Sequence, residues 1–146
     1  MTGTAHRRFA DLYVFLAGRW MIRRRVRDRR RAEICTFEGI ATFDDEAGAL
    51  RYVETGELRL GDYRGPASQT YTYLFPAPWR AEVRFRDGRL FHALDLQCGA
   101  ARVAHDCGDD RYRGRYVLLG DAAWLMGWRV RGPRKDQFIL TRYRRA

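Results

Sequence analysis

The chain has 146 residues, of which 46% are hydrophobic and 14% aromatic. Such a chain is long enough to bury one core and too short for two ordinary domains, and its composition excludes general disorder. The 28 basic residues outnumber the 18 acidic residues and give a formal charge of +10. No apolar run reaches the ~18 residues of a membrane span, and the first residues lack the features of a signal peptide, so we expect no membrane contact.

The excess charge is almost entirely arginine, because Lys135 is the only lysine and 27 of the 28 basic residues are arginines. One dense run contains seven of them: Arg23, Arg24, Arg25, Arg27, Arg29, Arg30 and Arg31. A run of this kind is a weak signal for nucleic-acid contact and more often a solvated face. We therefore favour generic surface arginine and regard a nucleic-acid partner as the less favoured interpretation.

The cysteines are Cys35, Cys98 and Cys107, an odd number without paired spacing. No C-x-x-C sequence occurs, which argues against a zinc ribbon or a thioredoxin-like motif, and we expect no metal site. Reduced thiols in a cytoplasmic protein are the simplest account.

One helix is predicted at the start of the chain, over residues 4–17. Phe9, Leu12, Tyr13 and Leu16 recur at helical spacing, and Thr4 is a candidate cap.

From Gly18 onward the hydrophobic period changes from about 3.6 to 2 residues, which is typical of strands. About ten strands of ordinary length follow, separated by short turns; the Asp87-Gly88 pair is a strong hairpin signal. We predict a mainly β protein with a single domain over residues 1–146. Its residues 18–146 form an antiparallel up-and-down barrel, which removes the exposed edges of an open sheet.

The sequence Gly18-Arg19-Trp20 stands between the predicted helix and the first strand. It resembles the Gly-x-Trp motif of the calycins, the lipocalin and fatty-acid-binding barrels. The resemblance implies that Trp20 closes the barrel bottom and that an arginine of the last strand packs on its ring. We assign that arginine to Arg142.

The chain as a whole also resembles a family of small bacterial proteins of unknown function. The matching segments run from Leu16-Ala17-Gly18-Arg19-Trp20 through Phe91-His92 to Gly132-Pro133-Arg134-Lys135. The most specific part is the pattern His-x-Cys-x-x-Asp-x-Tyr-x-Gly over residues 105–114. The resemblance implies a calycin-like barrel and brings no activity with it.

Two histidines lie on apolar faces of predicted neighbouring strands, so we expect both His92 and His105 to point into the barrel. Asp110 and Tyr112 follow His105 closely and offer partners for buried imidazoles. These four residues are the candidate catalytic cluster, since imidazole suits acid–base work and a carboxylate fixes its tautomer. A hydrogen-bond network that only stabilises the strands is the equally weighted alternative.

Further inward side chains are expected to contact a ligand. The candidate aromatic wall consists of Tyr71, Tyr73, Tyr116, Trp124 and Trp128. Arg24 and Glu54 also lie on otherwise apolar faces, where charges are seldom unpaired, so they pair with each other or contact the ligand.

These features favour a small-molecule-binding barrel that takes an apolar or aromatic, anionic ligand, with a histidine-dependent proton-transfer reaction as its enzymatic version. One alternative is a haem-binding barrel with a single histidine ligand, which is not favoured. The other is an RNA- or DNA-binding module that uses residues 23–31. The sequence leaves the ligand, turnover and the oligomeric state open, a homodimer included.

Overall fold

The computed structural model describes residues 11–146, which form one short helix and ten strands. The helix α1 spans Leu12–Leu16. The strands are β1 (Gly18–Asp28), β2 (Glu33–Glu46), β3 (Ala49–Leu60), β4 (Tyr63–Ala77), β5 (Arg80–Arg84), β6 (Leu90–Asp95), β7 (Ala100–Cys107), β8 (Asp110–Leu118), β9 (Ala123–Arg131) and β10 (Asp136–Arg145). Within residues 11–146, no helix has the length and apolar character that a membrane span requires.

All ten strands belong to one antiparallel sheet with the order β6-β5-β4-β3-β2-β1-β10-β9-β8-β7. The first and last strands pair over nine residues, from Trp20 opposite Arg145 to Asp28 opposite Gln137. This pairing curls the sheet into a nearly closed barrel. Strands β6 and β7, the two edge strands of the sheet, contact each other without forming a ladder. The predicted mainly β, ten-stranded antiparallel barrel is confirmed. We call the gap between β6 and β7 the seam.

The predicted turn at Asp87-Gly88 is present, and a second tight turn joins β2 to β3. Ala47 and Gly48 adopt positive φ between β2 and β3, and Gly88 adopts a φ of 91° after Asp87. The alternation predicts this strand over Gln69 to Phe75, whereas β4 begins at Tyr63 and runs through Pro66. Proline is tolerated there because β5 pairs only with the later part of β4, so that Pro66 lies at a sheet edge.

The N-terminal helix is described only in part. Asp11 caps α1 and accepts a hydrogen bond from the Val14 amide at 3.0 Å. The predicted cap Thr4 and the rest of residues 4–10 lie outside the described residues. Leu12 and Leu16 of α1 are buried, so the helix covers one end of the barrel, which we call the helix end.

Trp20 closes the helix end, as the resemblance to calycins implies. Its ring is fully buried, and its indole Nε1 donates to the Leu16 carbonyl at 2.8 Å. The assignment of Arg142 as the stacking arginine is wrong: Arg145 has its Cζ 4.1 Å from the Trp20 ring centroid. The reason is the period of two, which points Arg142 outward, and the extension of β10 to Arg145.

Arg145 also donates to the carbonyls of Phe15 and Ala17, at 2.5 and 3.1 Å, and thereby ties α1 to the barrel. We expect Arg145→Ala to lower the free energy of unfolding by about 2 kcal/mol, since it removes a cation–π contact and two charged hydrogen bonds. Urea denaturation followed by circular dichroism measures this. The matched control Arg142→Ala, three residues earlier on the outer face, should change it by less than about 0.5 kcal/mol; equal losses would contradict the assignment.

Candidate functional site

The barrel encloses a cavity of about 190 Å³, which we call the lumen cavity. This exceeds an engineered protein cavity of about 150 Å³ that admits benzene. Its wall is largely aromatic with a few converging polar groups, the usual composition of a small-molecule pocket. The lining residues are Arg24, Tyr52, Glu54, Gln69, Tyr71, Tyr73, Phe91, Tyr112, Tyr116, Met126, Trp128, Ile139 and Tyr143.

Arg24 and Glu54 form a bidentate ion pair in the wall of this cavity. The Nη1–Oε2 and Nη2–Oε1 distances are 2.6 and 2.9 Å, and the Arg24 Nε donates to the Thr141 hydroxyl at 2.9 Å. Glu54 is 4% exposed at its side chain and Arg24 19%. Burial alone would lower the pKa of Arg24, but the hydrogen bonds and charge of Glu54 raise it, so the guanidinium stays charged. The two charges neutralise each other.

A chain of phenols extends from this pair. The Tyr52 hydroxyl donates to Glu54 Oε1 at 2.6 Å. The carboxylate can only accept, so the one Tyr52 proton is used there, and Tyr143 donates to the Tyr52 oxygen at 2.9 Å. Burial raises the pKa of both phenols, which therefore remain protonated.

A second chain contains His92. Its Nδ1 lies 3.2 Å from the Ala93 carbonyl and its Nε2 lies 3.1 Å from the Tyr116 hydroxyl. A carbonyl only accepts, so Nδ1 carries the proton and Nε2 accepts from Tyr116. The Tyr73 hydroxyl in turn contacts that of Tyr116. Both ring nitrogens of His92 are thus occupied by protein partners.

Burial lowers the pKa of His92 to about 4, because the apolar surroundings disfavour the imidazolium. The side chain is 2% exposed and is neutral near pH 7. A neutral imidazole of such low basicity is a poor proton acceptor and holds no proton to give as an imidazolium. His92 is therefore inward as predicted, in a setting that suits a hydrogen-bond acceptor.

His105 lies across the seam from β6, on β7, and is half-buried. Its ring makes edge contacts with Phe85 and Phe91, at centroid distances of 5.5 and 5.1 Å, and a tilted contact with Tyr112 at 5.8 Å. No hydrogen bond to its ring nitrogens is found among residues 11–146. His92 and His105 both contact the Phe91 ring, at centroid distances of 4.8 and 5.1 Å, although their strands share no ladder.

The expected contact of Asp110 with the histidines does not form. Its carboxylate pairs with Lys135 of the β9–β10 turn, at an Oδ2–Nζ distance of 3.4 Å. Electrostatic interaction with Tyr112, together with the adjacent Asp110 carboxylate, raises the pKa of Lys135. The structure thus brings His105 and Tyr112 together and directs Asp110 toward a surface turn. His92 belongs to a separate chain of hydrogen bonds.

The predicted aromatic wall is mostly in place. Tyr71, Tyr73, Tyr116 and Trp128 line the lumen cavity. Trp124 does not, because it is buried at the helix end between other rings, with its centroid 3.6 Å from that of Tyr143. That packing places Trp124 in the core.

Several residues that line the lumen cavity were not predicted from the sequence. Tyr143 could have been found, since Ile139, Thr141 and Tyr143 alternate on the inner face of β10. Phe91 could not, because the register shifts between Val83 and Arg84 of β5 and breaks the period of two in its partner β6. Phe91 stacks on Trp128 at 5.3 Å and completes the wall at the seam.

A second cavity of about 290 Å³ adjoins the first on the side of β1–β4 and shares Arg24, Glu54, Gln69 and Tyr71 with it. Cys35 lines it, and burial raises the pKa of that thiol. The Arg24–Glu54 pair therefore lies between these two cavities.

Within the part of the chain that the structure describes, no three His, Cys, Asp or Glu side chains converge as metal ligands would. Of the dense arginine run, Arg23, Arg25 and Arg27 point outward from β1, and residues 29–31 lie in the turn after it. Arg24 is the member of the run that faces the lumen.

Solved structures share this architecture at very low sequence identity. An S-type phycobiliprotein lyase from Guillardia theta aligns with a TM-score of 0.70 and 8% identity, over 92% of this chain and 90% of that one. A protein of unknown function from the DUF3598 family of Nostoc punctiforme gives 0.62 and 13%, over 92% of this chain and 49% of that one. The M. tuberculosis protein Rv2717c gives 0.52 and 12%, over 90% and 93%. These likenesses concern the fold.

No curated protein matches the sequence. A family profile does, over residues 16–145, which span the barrel from the end of α1 to the last strand. The chain therefore belongs to the family of unknown function DUF6314.

Proposed function

We propose that the protein binds a small, uncharged aromatic molecule in its lumen cavity. The observation that carries the proposal is the aromatic wall around an ion pair whose two charges cancel. The barrel likeness to a phycobiliprotein lyase supports a small-molecule role at the level of the fold. A ring stacked against Tyr71 or Trp128 would bury apolar area and leave the phenols as hydrogen-bond partners.

The charge of the ligand follows from the partners of Arg24. An anionic ligand was expected because this arginine faces inward, but its Nη1, Nη2 and Nε already donate to Glu54 and Thr141. Only two N–H groups of the guanidinium remain, one on each Nη, and an anion that reached them would stand beside the buried Glu54 carboxylate, whose like charge repels it. A neutral ring meets no such repulsion.

We expect 2-naphthol to bind at least 10-fold more tightly than 2-naphthoate, as measured by isothermal titration calorimetry on the full chain. Met126→Trp fills the lumen cavity and should weaken 2-naphthol binding at least 10-fold. The matched control Leu125→Trp, on the outer face, should not change it. Gln69→Trp, at an exposed lining position, is the second variant if the first fails to fold. Equal affinities for the two probes, or binding unaffected by Met126→Trp and Gln69→Trp, would refute the proposal.

We assign any catalytic role in the lumen to His105 and Tyr112 rather than to His92. The nitrogens of His92 are occupied, and burial lowers its pKa to about 4. His105 stands beside Tyr112, which lines the cavity. The same position makes His105, not His92, the residue on which the haem alternative depends, because a ligand to iron needs an unoccupied ring nitrogen.

A further inference from the structure

A groove of about 1000 Å³ crosses the outer face of strands β7, β8, β9, β10 and β1, away from the lumen. We call it the outer groove. Its arginines are Arg25, Arg27, Arg102, Arg113, Arg115 and Arg129. Its apolar floor includes Phe138 and Leu140, which are 42% and 41% exposed. Arginine walls around exposed apolar side chains distinguish this face from an ordinary solvated surface.

The strand registers fix the layout of the outer groove. One row across the sheet runs Arg115, Gly127, Leu140, Arg25. The neighbouring row runs Arg113, Arg129, Phe138, Arg27 by the same pairings. Arginines of β8 and β1 therefore stand on either side of an apolar strip on β9 and β10. Three strand spacings of about 4.8 Å separate these walls by about 14 Å.

Much of the wall charge is uncompensated. Among residues 11–146, no carboxylate pairs with Arg25, Arg27, Arg102 or Arg115. Arg129 is different, because it pairs with Asp136 at 2.7 Å and lies 3.9 Å above the Phe138 ring. It therefore forms part of the floor. Of the wall arginines, Arg113 pairs with Asp106 at 2.8 Å, and Arg25, Arg27, Arg102 and Arg115 are left to attract an anion.

Gly127 lies at the centre of the floor for no reason found within the fold. A Cβ added there would meet only the Ile139 carbonyl oxygen, at 3.8 Å, and the residue does not adopt positive φ. Gly114, in contrast, makes room for the Trp128 ring, because a Cβ added at Gly114 would lie 2.7 Å from an atom of that ring. Glycine inside a strand costs about 0.5–1 kcal/mol and often marks the close approach of another molecule. Gly127 leaves the groove open where a partner would lie deepest.

We propose that the outer groove binds an amphipathic helix of a partner protein, apolar on one face and acidic along both edges of that face. A helix is about 10–12 Å across and fits between walls about 14 Å apart. Its apolar side chains would cover Phe138 and Leu140, and its carboxylates would pair with Arg25 and Arg115.

Two other anionic partners fit less well. A nucleic acid would need exposed rings on which bases stack, but one face of Phe138 is already covered by Arg129. A membrane surface needs protruding apolar groups, whereas the floor is recessed at Gly127.

The probe is a 15-residue peptide with leucine at i, i+3, i+4, i+7 and i+11 and glutamate beside them, labelled for fluorescence anisotropy. We expect it to bind the full chain at least 30-fold more tightly than a scrambled peptide of the same composition. Arg25→Glu/Arg115→Glu should weaken binding at least 30-fold. The control Arg51→Glu/Arg64→Glu changes the net charge equally on exposed residues of β3 and β4 and should change it less than 3-fold.

Gly127→Leu fills the floor and should weaken peptide binding at least 10-fold while leaving the melting temperature and 2-naphthol affinity unchanged. Equal binding of the scrambled peptide would overturn the proposal. So would tighter binding of a 12-nucleotide single strand, or of phosphatidylglycerol vesicles, that is lost in Arg25→Glu/Arg115→Glu. Because the 2-naphthol readout is separate, failure here and failure of the lumen proposal are distinguishable.

Discussion

Glu54→Gln should lower the free energy of unfolding by about 3 kcal/mol, because it leaves the Arg24 guanidinium half-buried without its carboxylate. The change also replaces an acceptor of the Tyr52 hydroxyl with an amide that carries two donors of its own. Guanidinium chloride denaturation followed by circular dichroism measures the loss.

The chain contains a matched control for this variant. Arg23 and Glu38 form the neighbouring pair on the outer face, at 3.5 Å and with side chains 79% and 63% exposed. Glu38→Gln should cost less than about 0.5 kcal/mol, as exposed pairs usually do. The double variant Arg24→Met/Glu54→Met should recover most of the loss, because no unpaired charge remains. Similar costs for Glu54→Gln and Glu38→Gln would show that the lumen pair is not buried as described.

The stability of the protein should fall by about 3 kcal/mol as the pH decreases from 6.5 to 4, through His92 alone. Burial lowers the folded-state pKa of His92 to about 4, whereas the unfolded chain has a histidine pKa near 6.5. Between these values the unfolded state binds the extra proton, so acid favours unfolding. The stability is fully present above the unfolded value and is lost as the pH approaches the folded one.

Denaturation curves collected at several pH values test this prediction. His92→Gln cannot titrate, so its stability should vary less over this range than that of the wild type. His105→Gln is the control for the loss of an imidazole near the lumen and should keep the wild-type pH dependence. A wild-type slope in His92→Gln would mean that other groups cause the acid sensitivity.

The sequence was sufficient wherever the period of two held. The alternation placed Arg24, Glu54 and His92 inside the barrel, and all three are inside. It also allowed Arg24 and Glu54 to be partners, because charges on apolar faces need partners. The sequence could not decide whether these two residues pair with each other or contact a ligand. That decision required the strand order, in which β2 lies between β1 and β3.

The errors have identifiable physical causes. Arg142 was chosen over Arg145 because strand ends are poorly marked in a segment with arginines at 142, 144 and 145. Asp110 was grouped with the histidines by proximity along the chain, but Lys135, 25 positions later, reaches it through the β9–β10 turn. Trp124 lies on the inner face of β9, as predicted. That face lines the cavity at Trp128 but belongs to the packed core at Trp124.

The seam has a mechanical consequence. Nine ladders of backbone hydrogen bonds fix the barrel circumference, and the tenth junction, between β6 and β7, is made by rings such as Phe91 and His105. Ring contacts yield at a much smaller displacement cost than a continuous ladder. We therefore expect the wall to yield at this junction before it yields at any of the nine ladders.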